Sequence, residues 1–579
     1  MEWLEIVVAL MLAGGVFGGI WSIMKHGWNR WTALMRRLFG ESMVFVSNAA
    51  VLVIALGIFV FVAPVTANEW LFQGVVLHWP HLALPALTVL VIWLFFRRAI
   101  RQLTQKAKEA GEQVRRKKYD NDTALTLAHL GAIASRWGRR ALMVLGLVLA
   151  VNVAWIMAIG NVIDYATYQL YAQSKPRDSL VLIDPDTVRY TPREVAHNDI
   201  SFDIKLATED ALLEYTRPIV LDGHFGYITP VTPDGFPSIF TKKVPGFQHF
   251  DDSPEAGKQP TRIVEQLECG SDMLWRDNLE RKAYLSDFFA VYDTPHYIRE
   301  TDKGGKTRML AVMPKVSYRW FMFPHWDGAV IVDSACDVKS YTARELRESR
   351  YATNNQWLAP MSLARHYVEI QNYAAGFMAG FSWVRVDGKL EIPPLPGANQ
   401  FPHLQVSDTG NIDLITLTKA DGGGLGLYRA YYFDASTFEL THYEFPQSGE
   451  CGMDGPTAAL KQMQNVPGYN WHRVSASGTE SGNMVAIEPV FIPRSNCEAY
   501  WKFTITNMDR AGISGTAIAD ARDPDGIVAF RQQQRTLYES WLRGGDLSRE
   551  QLLMDSIKRL RVQLREAESE LGTMEQHLR

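Results

Sequence analysis

The sequence predicts three parts in series: a four-helix transmembrane N-terminal region, a large α+β, β-rich extracytoplasmic domain, and a C-terminal coiled-coil helix. Three observations carry this. Four uncharged apolar runs crowd residues 1–164, strand-and-turn patterns fill residues 171–520, and a heptad of apolar residues runs through residues 549–579. The chain has 579 residues, which is too long for one core. Its averages (47% hydrophobic, 21% charged, net charge −4) conceal the contrast between an apolar, basic front and an ordinary soluble remainder.

The apolar runs cover residues 3–24, 43–64, 75–96 and 141–163. Each is about as long as a helix must be to cross a bilayer. None contains Lys, Arg or Asp, and Glu5 is their sole acid. The third is interrupted at its start by His78, Pro80 and His81. The first reads as an uncleaved anchor, because its N-terminal end holds Glu2 and Glu5 and no base, while Lys25, Arg30, Arg36 and Arg37 follow it. Residues 26–40, HGWNRWTALMRRLFG, place Trp28, Trp31, Met35 and Leu38 on one face, the pattern of an interfacial helix.

Charge sets the orientation. Residues 97–140 carry Arg97, Arg98, Arg101, Arg115, Arg116, Lys117 and Lys118 among other bases, whereas residues 65–74 carry none. Short basic loops stay cytoplasmic. The N-terminus and everything after residue 163 are then expected outside. In a bacterium this means a multi-pass inner-membrane protein with its large C-terminal domain in the periplasm. These bases fix topology; contact with anionic lipid, worth about 1 kcal/mol per residue, is the alternative role.

The outer domain reads as strands punctuated by turns. WVRVDGKLEI (residues 383–392) alternates around Asp387-Gly388, a hairpin signal. NIDLITLTK and LYRAYYFD flank ADGGGLG, which lacks the Lys-Ser/Thr of a phosphate loop and reads as a hairpin turn. NMVAIEPVFI and AYWKFTITNM are further strands, while TARELRESRY and SLARHYVEIQNYAAGF read as helices. The mixture suggests α+β, as one domain or two subdomains.

Two segments share an outline: AVIVDSACDVKSY (residues 329–341) and YYFDASTFELTHY (residues 431–443). Each is an apolar strand, an Asp, a turn with Cys336 or Thr437 three residues on, and a short strand ending in Tyr. VLIDPDTVRY (residues 181–190) is a looser third copy, with Asp184 and Thr187. The outline resembles the V-D-A-x-T-G-x-V-x-x-Y strand-turn-strand element of PepSY-type extracytoplasmic modules, over about a dozen residues per copy. Every copy lacks the turn glycine. The resemblance implies a small β-sheet binding or regulatory module, not catalysis.

Cys269, Cys336, Cys451 and Cys497 all fall in the outer domain. An even number in an oxidising compartment suggests disulfides, with buried free thiols as the alternative. Three pairings are open; closeness in sequence alone favours Cys269 with Cys336 and Cys451 with Cys497. No zinc spacing occurs. His78 and His81 suit an interfacial polar belt better than a metal site. DARDPDG (residues 520–526) puts Ala521 and Gln532 where a calcium loop needs acids, so it reads as a turn opening a helix. No GxSxG, HExxH or dinucleotide fingerprint is present, and no cofactor or metal is expected.

After the preceding helix, IVAFRQQQRTLYESWL, and Gly544-Gly545, Ser548 and Gln551 form a capping-box pattern. Leu553, Ile557, Leu560, Leu564, Ala567, Leu571, Met574 and Leu578 then recur as a heptad seam, which predicts self-association. The expected function is a non-enzymatic, membrane-anchored envelope scaffold. It binds lipid, further copies of itself and an envelope protein partner, but no nucleic acid, since no basic, aromatic-interleaved domain exists. Alternatives are a membrane sensor with an external ligand and an extracytoplasmic hydrolase. Intramembrane charges for transport are missing.

Overall fold

The computed structural model describes residues 63–89, residue 97, and, with short gaps, residues 146–540. The expected span at 3–24, residues 43–62 of the expected span at 43–64, almost all of the basic loop including Arg98, Arg101, Arg115, Arg116, Lys117 and Lys118, and the heptad seam Leu553, Ile557, Leu560, Leu564, Ala567, Leu571, Met574 and Leu578 lie outside the described residues. Arg97 is helical and exposed. The chain divides into residues 1–71 and 72–579, and all the β-structure belongs to the second unit.

The fold class differs from expectation. Among the described residues the protein is mostly β-sheet, and one helix, Gly146–Ala172, is long and apolar enough to cross a membrane. No four-helix membrane region and no coiled-coil helix is shown among them. The third apolar run is not an unbroken span: a turn at residues 77–78 interrupts it, where His78 and Pro80 stand, and helix resumes over residues 79–89. Helix Gly146–Ala172 is not a core helix either. Leu147, Val151, Ile156 and Met157 leave its surface exposed on several sides, as lipid-facing side chains would be.

Among the described residues four larger antiparallel meanders follow in chain order, beside a two-stranded pair of Arg473–Val474 with Glu480–Ser481, and Lys175–Pro176 adds a parallel strand at the edge of the third meander. The first joins Ala211–Leu213 and Arg217–Leu221 to His224–Pro233, then Phe247–Asp251 and Thr261–Ile263. The second joins Ala290–Tyr292 and His296–Thr301 to Thr307–Arg319, then Phe323–Val332 and Val338–Tyr341. The third joins Leu390–Glu391 and His403–Val406 to Ile412–Ala420, then Leu427–Asp434 and Leu440–Glu444. In all three, two short strands share one edge of a long strand, so each is a four-stranded meander whose first strand is broken. The fourth, Met484–Ser495, Glu498–Asn507, Ile513–Asp520 and Val528–Phe530, is the same meander with an intact first strand.

The first strands converge. Arg217, His296 and Leu404 line one small internal space; Phe225, Leu404 and Val490 line another. The Gln405 side chain donates to the Phe491 carbonyl at 3.4 Å, stitching the third sheet to the fourth. These long strands are covered on both faces, which is why Thr307–Arg319, Met484–Ser495 and Glu498–Asn507 are buried almost continuously instead of alternately. One core binds the first three sheets to helix Met361–Glu369, and a second binds the third and fourth.

Apart from Gly146–Ala172 and Arg193–Ala207, which precede the first sheet, the described helices are short, so the α+β expectation is corrected to a mostly β-sheet fold with helical connections. Thr342 caps Ala343–Arg347 in a full capping box with Glu345. The hairpin turn expected at Asp387-Gly388 lies outside the described residues; Leu390–Glu391 after it pairs with Lys419 and Ala420. The segment after DARDPDG opens as strand Val528–Phe530, not helix, because its apolar residues complete the fourth sheet against Ala517, Ile518 and Ala519.

The repeat has a physical basis. In both copies the Asp carboxylate closes the turn. Asp333 Oδ1 accepts from the Ala335 and Asp337 amides, and Asp434 Oδ1 from the Ser436 and Thr437 amides and the Ser436 hydroxyl. Each turn needs one left-handed residue, filled by Cys336 (φ 67°) and Phe438 (φ 60°) where glycine would cost least. The turn of the looser copy, with Asp184 and Thr187, lies outside the described residues; Ile183 ahead of it bridges to Ser407.

Candidate functional site

Two disulfides are present, Cys269–Cys336 and Cys451–Cys497, and they indicate an oxidising, extracytoplasmic environment. Each ties the connection ahead of a sheet to a turn within that sheet. Cys269 precedes the second sheet and Cys336 sits in its last turn; Cys451 precedes the fourth sheet and Cys497 sits in its first turn.

The second bridge leads to a polar cleft of about 580 Å³ between the third and fourth sheets. Three pieces of chain build it. The turn beside Cys497 supplies Arg494, Ser495 and Asn496. The third sheet supplies Asp413, Asp434, Glu439 and Thr441, together with the tight turn at residues 407–411. The stretch following helix Gly146–Ala172 supplies Arg177 and Ser179. Asn496 locks the outermost piece, accepting from the Leu180 amide at 2.9 Å and donating to the Asp178 carbonyl at 3.2 Å. Ser407 closes its turn through its hydroxyl, which accepts from the Asn411 amide, while Gly410 takes φ +81°.

Asp413 and Asp434 are direct cross-strand partners. The Asp434 carboxylate is held by its turn. Asp413 is 8% exposed, and its carboxyl is pushed up to about 7, first by burial and then by the neighbouring Asp434 charge, against the pull of Arg177. A carboxyl that exchanges its proton near neutrality thus faces a cleft of mixed charge. Arg177 donates to Thr441 at 3.3 Å and covers the buried Tyr432 ring at 5.5 Å, which fixes its guanidinium at the rim. Burial lowers the pKa of Arg494. Such a wall suits a ligand bearing both charge signs, or one that donates and accepts hydrogen bonds.

Elsewhere, His296 is stacked on Trp357 at 3.8 Å, with Nε2 2.7 Å from the Trp357 carbonyl. Burial drives its pKa down to about 4, so it is a neutral core histidine. The His78 and His81 rings lie 5.9 Å apart, and among the described residues no group of three or more His, Cys, Asp or Glu could hold a metal ion. Arg522 pairs with Asp520 at the start of the DARDPDG turn.

Sequence reasoning singled out the four cysteines but missed every cleft residue. Asp434 was visible as the Asp of the repeat. Asp413 carried no signal, because its partner is set by strand register. No family model, no curated protein and no solved structure matches the chain.

Proposed function

We propose that this chain is a membrane-anchored binding protein whose extracytoplasmic β-domain captures a small polar ligand or the charged end of a peptide in the Asp413–Arg494 cleft. The cleft carries this reading: its size falls in the range of ligand sites, and a disulfide, a carboxylate-closed turn and an asparagine lock pre-form its walls. Helix Gly146–Ala172 is the anchor. The basic residues 97–140 ahead of it favour the bacterial inner membrane with the domain on the periplasmic side, and no Asn-x-Ser/Thr acceptor follows residue 163.

The helix is also seated in the domain. The Gln371 amide donates to the Ala172 carbonyl, Tyr373 donates to Asn161 at 2.9 Å, and Tyr171 stacks on His325 at 5.0 Å. That seating supports a sensor, in which an occupied cleft reaches the membrane through packed structure. The test is a thermal-shift screen of the detergent-solubilised full chain against amino acids, short peptides, nucleotides and sugars. Stabilisation by one class, lost in Asp413→Asn and Arg494→Ala, supports the reading. No shift, or shifts equal in the variants, overturns it.

The Asp413–Asp434 pair favours a second reading, acid–base hydrolysis, since a buried carboxyl with a raised proton affinity beside a second carboxyl is a working part of such chemistry. Turnover of a cleft ligand, abolished in Asp413→Asn while binding persists, distinguishes it.

A further inference from the structure

The tip of the second sheet has no explanation in the cleft. Between Thr307–Arg319 and Phe323–Val332 the chain turns through Trp320 (φ 55°) and Phe321 (φ 56°), with the Met322 amide donating to the Arg319 carbonyl at 3.1 Å. Two consecutive left-handed residues are the place for Asn-Gly. Here they are a tryptophan and a phenylalanine, 65% and 42% exposed. Phe289 beside them is 55% exposed. A turn selected for stability would not hold large apolar side chains in this conformation and point them at water.

Their position suggests what covers them. Phe72, three residues ahead of the third apolar run, is fully buried beneath this patch. Its ring meets Phe289 at 5.7 Å, Phe321 at 6.1 Å and Tyr318 at 6.2 Å. Residues 79–89 run beside helix Gly146–Ala172: Trp155 donates to the Pro80 carbonyl at 2.8 Å and Asn152 to Thr88 at 3.1 Å. The partners run in opposite directions, so residues 72–81 lie at the domain end of that helix. In the anchoring reading about twenty residues cross the hydrocarbon, and counted from residue 141, where the apolar run begins, they bring the outer boundary to about residue 160. Gly160 is level with His81, and the domain first grips the helix at Asn161. The aromatic tip is therefore fixed, through Phe72, at the height of the outer membrane interface. Arg319 lies over the Trp320 ring at 5.0 Å, a cation placed for phosphate headgroups.

We infer that Trp320, Phe321 and Phe289 form a membrane-seating wedge that inserts into the outer-leaflet interface, with a phospholipid surface as its partner. The inference rests on the anchoring reading above, and its test separates the two. All four native cysteines are in disulfides, so an introduced cysteine is a unique labelling site. Trp320→Cys, Phe321→Cys, Leu147→Cys on the membrane helix and Glu348→Cys on the exposed domain surface are each labelled with an environment-sensitive fluorophore. The full chain is then reconstituted into phosphatidylethanolamine–phosphatidylglycerol vesicles carrying nitroxide lipids. The wedge predicts that labels at 320 and 321 shift to the blue, are quenched by the nitroxide lipids and lose most quenching by aqueous iodide, while the label at 348 behaves oppositely. If the label at 147 is quenched by lipid but those at 320 and 321 match the label at 348, the anchor stands and the wedge is wrong. If the label at 147 is itself not quenched by lipid, the anchoring reading fails first. Labels at 320 and 321 shielded from both quenchers would place protein on the tip and overturn the lipid assignment.

Discussion

Replacing Asp413 by Asn tests the electrostatics of the cleft. The Asp413 carboxyl titrates near 3.8 when unperturbed and at about 7 in the folded protein, because burial and Asp434 oppose its charge. Below the lower value both the folded and unfolded chains hold the proton, and the group is neutral towards stability. As pH rises, the unfolded chain releases its proton first and unfolding is favoured; above the higher value the penalty is complete. The gap between 3.8 and about 7, at about 1.4 kcal/mol per pH unit, amounts to about 4 kcal/mol. Asn cannot ionise, so Asp413→Asn is expected to match the parent at acid pH and to exceed its stability by a few kcal/mol, on the order of that figure, at alkaline pH. Urea unfolding of the full chain in detergent, followed by tryptophan fluorescence across this range, reads the difference directly. Parallel pH profiles for the two proteins would refute the argument, since they would mean Asp413 ionises in the fold without cost.

Single features elsewhere give further expected outcomes. Cys497→Ser should cost about 2–4 kcal/mol and weaken cleft binding more than Cys336→Ser does, because only the former frees the turn at 494–496; unfolding and binding measured in parallel report both. Phe438→Ala should lose about 3 kcal/mol of packing against Phe433, Tyr367 and Trp326. Phe438→Gly should recover about 1 kcal/mol of that loss by relieving the left-handed backbone, so the Gly-minus-Ala difference isolates the strain. In Gly328→Ala the new methyl would collide with the Tyr341 carbonyl oxygen at a residue with φ +109°, and the second sheet should be destabilised by at least about 2 kcal/mol, visible as a lowered unfolding midpoint.

Local chemistry was readable in the sequence, and long-range placement was not. The apolar run after residue 140 announced the membrane-length helix, and closeness in sequence paired the cysteines as the structure does. The glycine-rich stretch after Ala420 does join two hairpin strands, whose register runs from Lys419 opposite Leu427 to Asp413 opposite Asp434. The shared outline at 329–341 and 431–443 reflected a real equivalence of turns, each closed by its own aspartate. The sheet plan stayed hidden because the long strands are buried on both faces. Thr307–Arg319 and Glu498–Asn507 therefore lack the alternation that betrays a half-buried strand. The broken first strands also hid it: Leu390–Glu391 and His403–Val406 bind the same neighbour across an insertion that sequence cannot bridge. Asp413 looked like any strand-edge acid until register set it against Asp434.

Helix Gly146–Ala172 has one more consequence. At 1.5 Å per residue its 27 residues measure about 40 Å, longer than the roughly 30 Å of a bilayer's hydrocarbon core. The surplus turns end inside the β-domain at the fully buried Ala172, and no glycine or proline follows Gly160 within the helix. The joint between this helix and the domain therefore has no swivel. Under the proposed anchoring, a helix that leans to match a thinner membrane carries the whole domain with it, so the aim of the cleft relative to the membrane plane becomes a function of bilayer thickness.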